Sequence, residues 1–216
     1  MSKKPIALEE RDAVQGRLKS PSAARNRDVI KDILVKHLPT TGTILEVGAG
    51  TGEHAVHFAA GLPNVRWVPG DPDETSRASI DAWRADSSLQ NIAPAHAINV
   101  TNDQWQWDGE DALSGLVSLN MIHIAPFEAA KGLIAGAGRY LRAGGVFFLY
   151  GPFSREGVHT APSNAAFDQS LKSRDERWGV RDLDHDIVPL AATARLKLDH
   201  IIEMPTNNLS VVFSKE

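Results

Sequence analysis

The stretch Ile44-Leu45-Glu46-Val47-Gly48-Ala49-Gly50-Thr51-Gly52 joins an apolar β-type run, ending in a carboxylate and a valine, to a loop with glycine at every second position. Glycine lacks a Cβ, takes φ > 0 without strain and lets the backbone approach a ligand closely. A helical pattern follows, with Ala55, Val56, Phe58 and Ala59, and its N-terminus offers unpaired N–H groups and a positive dipole end. A small anionic or zwitterionic ligand is expected at this loop. A dinucleotide-binding turn would read G-x-G-x-x-G, with a third small residue where helix packs on strand. Counted from Gly48 and Gly50, that third position falls on Glu53, the wrong residue for it.

Outward from the loop, β-type and helical patterns alternate. Upstream, residues 22–38 read as a helix: Ser22 caps it, Val29, Ile30, Ile33, Leu34 and Leu38 share a face, and Pro39 stops it. Downstream, strands are predicted at 65–69, 95–100, 113–119 and 146–150, with helices after Gly70-Asp71-Pro72-Asp73 and over 126–141. The run 113–119 is almost wholly apolar, as a strand covered on both faces should be. An irregular stretch, 151–181, carries a helix near 165–172 and is expected to form an insert over the active site. A helix near 183–196 contains Pro189. Two last β-type runs, 197–204 and 209–214, flank Pro205-Thr206-Asn207-Asn208 and suggest a hairpin. The pattern predicts one domain over 1–216: a doubly wound, mostly parallel seven-stranded sheet with a C-terminal antiparallel hairpin.

Composition narrows the classes. A chain of 216 residues suits one domain with a sizeable core. A formal net charge of −4 gives no general electrostatic reason to bind nucleic acid. Met1-Ser2-Lys3-Lys4-Pro5 lacks the apolar core of a secretory signal, and no run approaches the roughly 18 apolar residues of a membrane span. Cysteine is absent, so no disulfide or thiolate chemistry is available. A cytoplasmic protein with no nucleic-acid or membrane partner is expected, and the sequence sets no oligomeric state. Residues 1–20 show no apolar periodicity and read as a mobile N-terminal arm.

The G-x-G-x-G spacing, with Glu46 two residues before Gly48, resembles the first motif of class I S-adenosylmethionine-dependent methyltransferases. Arg25-Asn26-Arg27, Gly70-Asp71-Pro72-Asp73, Asn120-Met121-Ile122-His123-Ile124, Leu149-Tyr150-Gly151-Pro152-Phe153, Ser163-Asn164-Ala165-Ala166-Phe167-Asp168, Trp178-Gly179-Val180-Arg181-Asp182 and Met204-Pro205-Thr206-Asn207-Asn208-Leu209 resemble the methyltransferase-like protein 26 family. That resemblance extends from about Ser20 over nearly the whole chain. It implies a Rossmann-like fold and S-adenosyl-L-methionine as cofactor, but no substrate. It further implies that Gly48, Gly50 and Gly52 pack against the methionine part, and that Glu46 orders the loop or meets the amino group. Asp71 would accept from the ribose hydroxyls, and Asn99 with Val100 would read the adenine edge. Asn26 and Asn120 complete the cofactor set. The family more usually has aspartate where this chain has Asn99. By residue type alone, Glu46 also suits backbone capping, and Asp71 and Asn99 suit turns.

The acceptor pocket is expected between Asn120, His123, Tyr150, Phe153, Asn164, Trp178 and Asn208. His123 is its best proton acceptor, with an ordinary pKa near 6.5, and Tyr150 is the second catalytic candidate. His123 equally suits packing after a buried strand, Tyr150 and Phe153 suit core aromatics beside a Gly-Pro turn, and Trp178 suits either a lid or a plug. Arg17, Lys19, Arg25 and Arg27 form a local basic patch able to meet the cofactor carboxylate or an anionic substrate. His54 and His57 lack a third ligand, so no metal is expected, and Asp182-Leu183-Asp184-His185-Asp186 reads as a helix start. Methyl transfer to a small molecule is the leading function. Asn120-Met121-Ile122-His123 stands where amino-methylating nucleic-acid enzymes carry an Asn-Pro-Pro-Tyr type of motif. A nicotinamide oxidoreductase is opposed by Glu53. A protein that binds the cofactor without turnover is the remaining alternative, separable by turnover with a substrate panel.

Overall fold

Alternation along single strands sets the architecture, because neighbouring side chains leave a strand on opposite faces. The computed structural model describes residues 12–102, 104–109 and 112–216. It begins with β1 (Asp12–Val14), β2 (Arg17–Lys19), α1 (Pro21–His37), β3 (Gly42–Val47), α2 (Glu53–Gly61), β4 (Val65–Gly70) and α3 (Glu74–Ser87). The middle contains β5 (Leu113–Leu119), a 3-10 turn (Met121–His123), α4 (Phe127–Tyr140) and β6 (Leu141–Gly151). Two short strands, β7 (Ser154–Arg155) and β8 (Val158–His159), lead to α5 (Pro162–Arg174) and a π-type turn (Leu183–Ile187). The last elements are α6 (Val188–Thr193), β9 (Leu196–Met204) and β10 (Asn208–Lys215).

Six strands form the main sheet in the order β4-β3-β5-β6-β10-β9. The first four are parallel, and β10 runs antiparallel to both β6 and β9. Phe147 and Leu149 of β6 enter one apolar layer with Leu133 of α4 and Ala191 of α6. Phe148 and Tyr150 enter the other, with Ile30 and Leu34 of α1 and Phe58 of α2. All of β5 is buried, as its apolar run predicts. Because β3 has β4 on one side and β5 on the other, the chain reverses its winding there. The crevice beyond the carboxyl ends of β3 and β5 is therefore the ligand position of such a sheet.

The doubly wound fold predicted from the sequence is present, with six strands in place of seven. The run 95–100 forms no regular strand. Within it only His96 bridges β4, at Gly70, with its N–H donating to Pro69 O at 2.9 Å; a second bridge, Trp67 to Ile92, lies just before the run. Three residue steps on β4 face four on the other side, which bulges the pairing. Pro69 and Pro94 both lack the N–H a continuous ladder needs. The helix expected over 183–196 divides into the π-type turn and the short α6, and Leu196 already belongs to β9.

Of the expected N-terminal arm, residues 1–11 lie outside the described residues. Residues 12–19 form a hairpin through Gln15-Gly16, both at positive φ, in place of a free tail. It docks on α3: Leu18 N–H donates to Ser79 Oγ at 2.8 Å, and Trp83 Nε1 donates to Leu18 O at 2.8 Å. Arg17 lies over the Trp83 ring and pairs with Asp86. Strands of three residues are too short to leave a readable period. The cap of α1 is Ser20, not Ser22; its Oγ accepts from Ala23 N, with Pro21 at the first turn. Among the described residues no helix is long and apolar enough to cross a membrane.

Candidate functional site

The loop after β3 places Gly48, Gly50 and Gly52 at φ +77°, +58° and +88°. A Cβ on Gly48 would fall 2.7 Å from Met121 Cγ, and one on Gly52 2.7 Å from the Ile80 Cα. These two glycines thus seat the loop against the turn after β5 and against α3. Its N–H groups are used internally: Gly48 and Ala49 donate to Gly70 O, Gly52 to Ala49 O, and Gly50 to Asp71 Oδ2 at 2.9 Å. A phosphate nest would turn such donors outward. Glu53, the first residue of α2, also puts a buried carboxylate at the helix end where a pyrophosphate would sit. Glu53 Oε2 accepts from Ser20 N at 2.9 Å, and Oε1 lies 3.5 Å from Arg27 Nη1. The residues present fit a cofactor without a pyrophosphate and do not fit a dinucleotide.

Asp71 follows β4, is 7% exposed, and is oriented by N–H bonds from Gly50 and Asp73. Capping of α3 falls to Asp73, whose Oδ2 accepts from Ser76 N. Asp71 therefore couples the end of β4 to the glycine loop. Glu46 is buried beneath the loop, where its Oε2 accepts from Trp67 Nε1 at 2.8 Å. Burial, with a contribution from the Asp71 charge, pushes its pKa up to about 8. Asn99 is exposed and its Oδ1 accepts from Thr101 N and Oγ1, the turn-forming arrangement. Val100 is buried where α4 crosses it, so close that a Cβ on Gly132 would fall 1.9 Å from Val100 O.

At the end of β5, Asn120 takes the left-handed conformation, donates its N–H to Tyr150 O at 2.7 Å and accepts from His123 N. His123 is fully buried, with its ring edge-on to Phe153 at 4.9 Å. The Arg181 N–H donates to His123 Nδ1 at 3.2 Å. That bond assigns the ring proton to Nε2, which has no hydrogen-bond partner among the described residues and faces Gly151; a Cβ there would fall 2.5 Å away. Burial, followed by the Arg181 charge, pushes the His123 pKa down to about 3. His123 is thus neutral at physiological pH, with its acceptor nitrogen Nδ1 taken by the Arg181 N–H and a second proton opposed by burial and the Arg181 charge. The Arg181 guanidinium holds Ile122 O at 2.9 Å and Ala125 O at 2.6 Å, and Gly179 N–H reaches His123 O. No local pattern marks Arg181 for this role, because its partners lie on a distant turn.

Tyr150 projects to the other face, where its hydroxyl hydrogen-bonds with the side chains of Asn26 and Asn208. Burial raises its pKa, while both amides favour the phenolate, so it is neutral near pH 7. Asn26 Oδ1 meets His54 Nε2 at 2.8 Å, which links α1, α2 and β6. Burial lowers the His54 pKa to about 4. His57 instead meets Asp28, so the two imidazoles serve different partners.

The expected acceptor wall is brought together only in part. Phe153 is wholly buried in the core. Asn164 is buried and its Nδ2 holds Thr160 Oγ1 and Asn207 O, which fixes the hairpin loop. The 151–181 stretch is tied to the turn after β5 through Gly179 and Arg181 and to the turn before β10 through Asn164. Trp178 is half-buried, and Asn208 also ties Thr206 Oγ1 at 2.9 Å. Asp182 caps the π-type turn through Asp184 N and His185 N, as expected of a helix start. Of the basic patch, Arg17 and Arg27 are paired, while Lys19 and Arg25 are exposed.

Solved structures share this fold. An O-methyltransferase family protein from Burkholderia thailandensis superposes with a TM-score of 0.71 at 14% identity, covering 89% of this chain and 60% of that one. CalO1, a methyltransferase in calicheamicin biosynthesis in its S-adenosylhomocysteine-bound form, gives 0.68 at 20% identity over 90% and 54%. Human N-acetylserotonin methyltransferase in complex with S-adenosylmethionine gives 0.68 at 12% identity over 90% and 52%. The chain spans little more than half the length of these proteins, and the likeness is one of fold. The family model described as "Protein of unknown function (DUF938)" matches residues 17–215, and the chain belongs to that family.

Proposed function

We propose that the protein is an S-adenosyl-L-methionine-dependent methyltransferase acting on a small molecule, of the methyltransferase-like protein 26 kind. The observation that carries this reading is the glycine loop, whose donors are used internally and which Asp71 ties to the end of β4. Such a loop offers close backbone approach without a phosphate site. The cofactor would supply an electrophilic methyl group on a sulfonium. Residues 48–52 would hold its methionine part, Asp71 its ribose hydroxyls, and the segment at Val100 the adenine side. Asn26 and Asn120 would border the methyl end. The acceptor would lie against Asn120, Tyr150, Asn208 and the half-buried Trp178, all at the end of β5, β6 or the loops beside them. Much of the rate gain would come from orientation and exclusion of water there. The engagement of Arg17 and Arg27 within the protein, with a net charge of −4, supports a small acceptor over nucleic acid.

Calorimetric titration with S-adenosylmethionine, S-adenosylhomocysteine and NAD tests the reading. Micromolar binding of both sulfur compounds, none of NAD, and at least a tenfold loss in Asp71→Ala are expected. Preference for NAD, or no binding of either sulfur compound, would refute the assignment.

A further inference from the structure

We propose that the N-terminal hairpin, residues 12–19, is a working part of the cofactor site, with Ser79 as the positioning residue through which it holds the glycine loop. This rests on the methyltransferase reading. Ser79 lies on α3 and is 1% exposed. Its Oγ accepts from Leu18 N at 2.8 Å and donates to Thr51 O at 2.7 Å. A single hydroxyl can serve both ends of this relay, because it donates and accepts at once. Two residues further along each segment, Ser20 N–H donates to Glu53 Oε2 at 2.9 Å. The chain leaving the hairpin therefore reaches the loop twice, 18 to 51 through Ser79 and 20 to 53 directly.

The two halves of the loop are held from different sides. Gly48, Ala49 and Gly50 donate to Gly70 O and to the Asp71 carboxylate at the end of β4. Residues 51–53 lean instead on α3 and the hairpin: Gly52 lies so close to Ile80 that no Cβ fits, and Thr51 O is held by Ser79. A loop that packs against the methionine part of the cofactor needs both halves in place. The hairpin meets the conditions for a segment that responds to ligand. Strands of three residues do not hold as an isolated pair. Its order depends on the Leu18 bonds to Ser79 and Trp83, and on Arg17, which lies over the Trp83 ring and pairs with Asp86. Segments with few anchors open locally while the rest of the fold persists. Undocking takes Leu18 N from Ser79 Oγ and Ser20 N from Glu53, which frees both partners to turn away from the loop. A cofactor that favours the held loop must favour the docked hairpin by the same factor.

Calorimetry with S-adenosylhomocysteine tests this on the full chain. Trp83→Ala removes the indole bond to Leu18 O and the ring beneath Arg17, keeps a good helix former on α3 and leaves Ser79 and the glycine loop unaltered. Ser79→Ala cuts the relay itself. Each should weaken S-adenosylhomocysteine binding about fivefold or more. Urea unfolding of the same proteins separates this from a merely structural role, which would lower the unfolding midpoint and leave affinity unchanged. A smaller loss of affinity in either folded variant overturns the inference and leaves the methyltransferase reading standing.

Amide hydrogen exchange gives the reciprocal readout and needs no variant. Saturation of the parent with S-adenosylhomocysteine should slow exchange over residues 14–20 by about fivefold or more, at Leu18 N–H above all. With no ligand present, Trp83→Ala should speed exchange at residues 51–53. Hairpin exchange that is unchanged while calorimetry shows the ligand bound, or loop exchange unchanged in Trp83→Ala, overturns the inference alone. No binding of S-adenosylhomocysteine to the parent overturns the methyltransferase reading and the inference with it.

Discussion

Single residues divide into those whose role is set by neighbours in sequence and those set by distant ones. Gly48, Gly50 and Gly52 were legible because every-second-residue glycine demands left-handed backbone, and all three adopt it. His123 was not: its state depends on Arg181, 58 positions away, and on complete burial. Gly151 is the cleanest probe of that packing. Gly151→Ala should cost about 1–3 kcal/mol in urea unfolding, with part recovered when His123→Ala is added, because the clash is with the imidazole. Glu46 predicts a pH effect. Its pKa lies at about 8 in the fold against an ordinary 4.5, so the folded state retains a proton that the unfolded chain releases. The associated stability is complete below about pH 4.5 and is lost as pH rises through 8, an upper limit of about 5 kcal/mol. Glu46→Gln should flatten the fall in urea midpoint between pH 5 and 8; an unchanged slope would assign the dependence elsewhere.

Elements were readable where period and caps agreed, and less so where pairing geometry decided. The unbroken run of β5 reaches its structural counterpart unchanged, and on α1 and its C-cap Ile30, Leu34 and Leu38 are buried as expected, while Val29 is exposed and the N-cap stands at Ser20. The run 95–100 looked like a strand by composition, yet Pro69 and Pro94 and a one-residue mismatch leave it a single bridge to β4, at His96. Asn99 consequently stands in a turn. Asn99→Ala should change S-adenosylmethionine affinity less than threefold by calorimetry, well short of the effect at Asp71. At the other end, Ser20 both caps α1 and donates its N–H to Glu53. Ser20→Ala should therefore cost about 1 kcal/mol of stability through the cap, measured by urea unfolding, while the backbone bond to Glu53 remains.

For the whole molecule, alternation of strands and helices was enough to predict a doubly wound sheet, because a parallel pair needs a crossover of its own. The position of β10 was not readable, since a hairpin pattern does not say which of its strands pairs with β6. Cofactor binding should report on the assembled molecule. At a hundredfold excess over Kd, S-adenosylhomocysteine should add about 2.7 kcal/mol and raise the melting midpoint by roughly 5–10 °C; a scan with no shift would contradict a single site formed only in the folded state. The location of β10 also bears on how the protein is made. It is the last of the six strands to be synthesised, but it lies between β6 and β9, pairing 209–214 with 146–151. Until it emerges, the edge of β6 carrying Phe147, Phe148 and Leu149 has no neighbour, and β9 has nothing to dock on. A growing chain thus exposes an apolar, hydrogen-bond-hungry edge until β10 is made and fills the gap between β6 and β9.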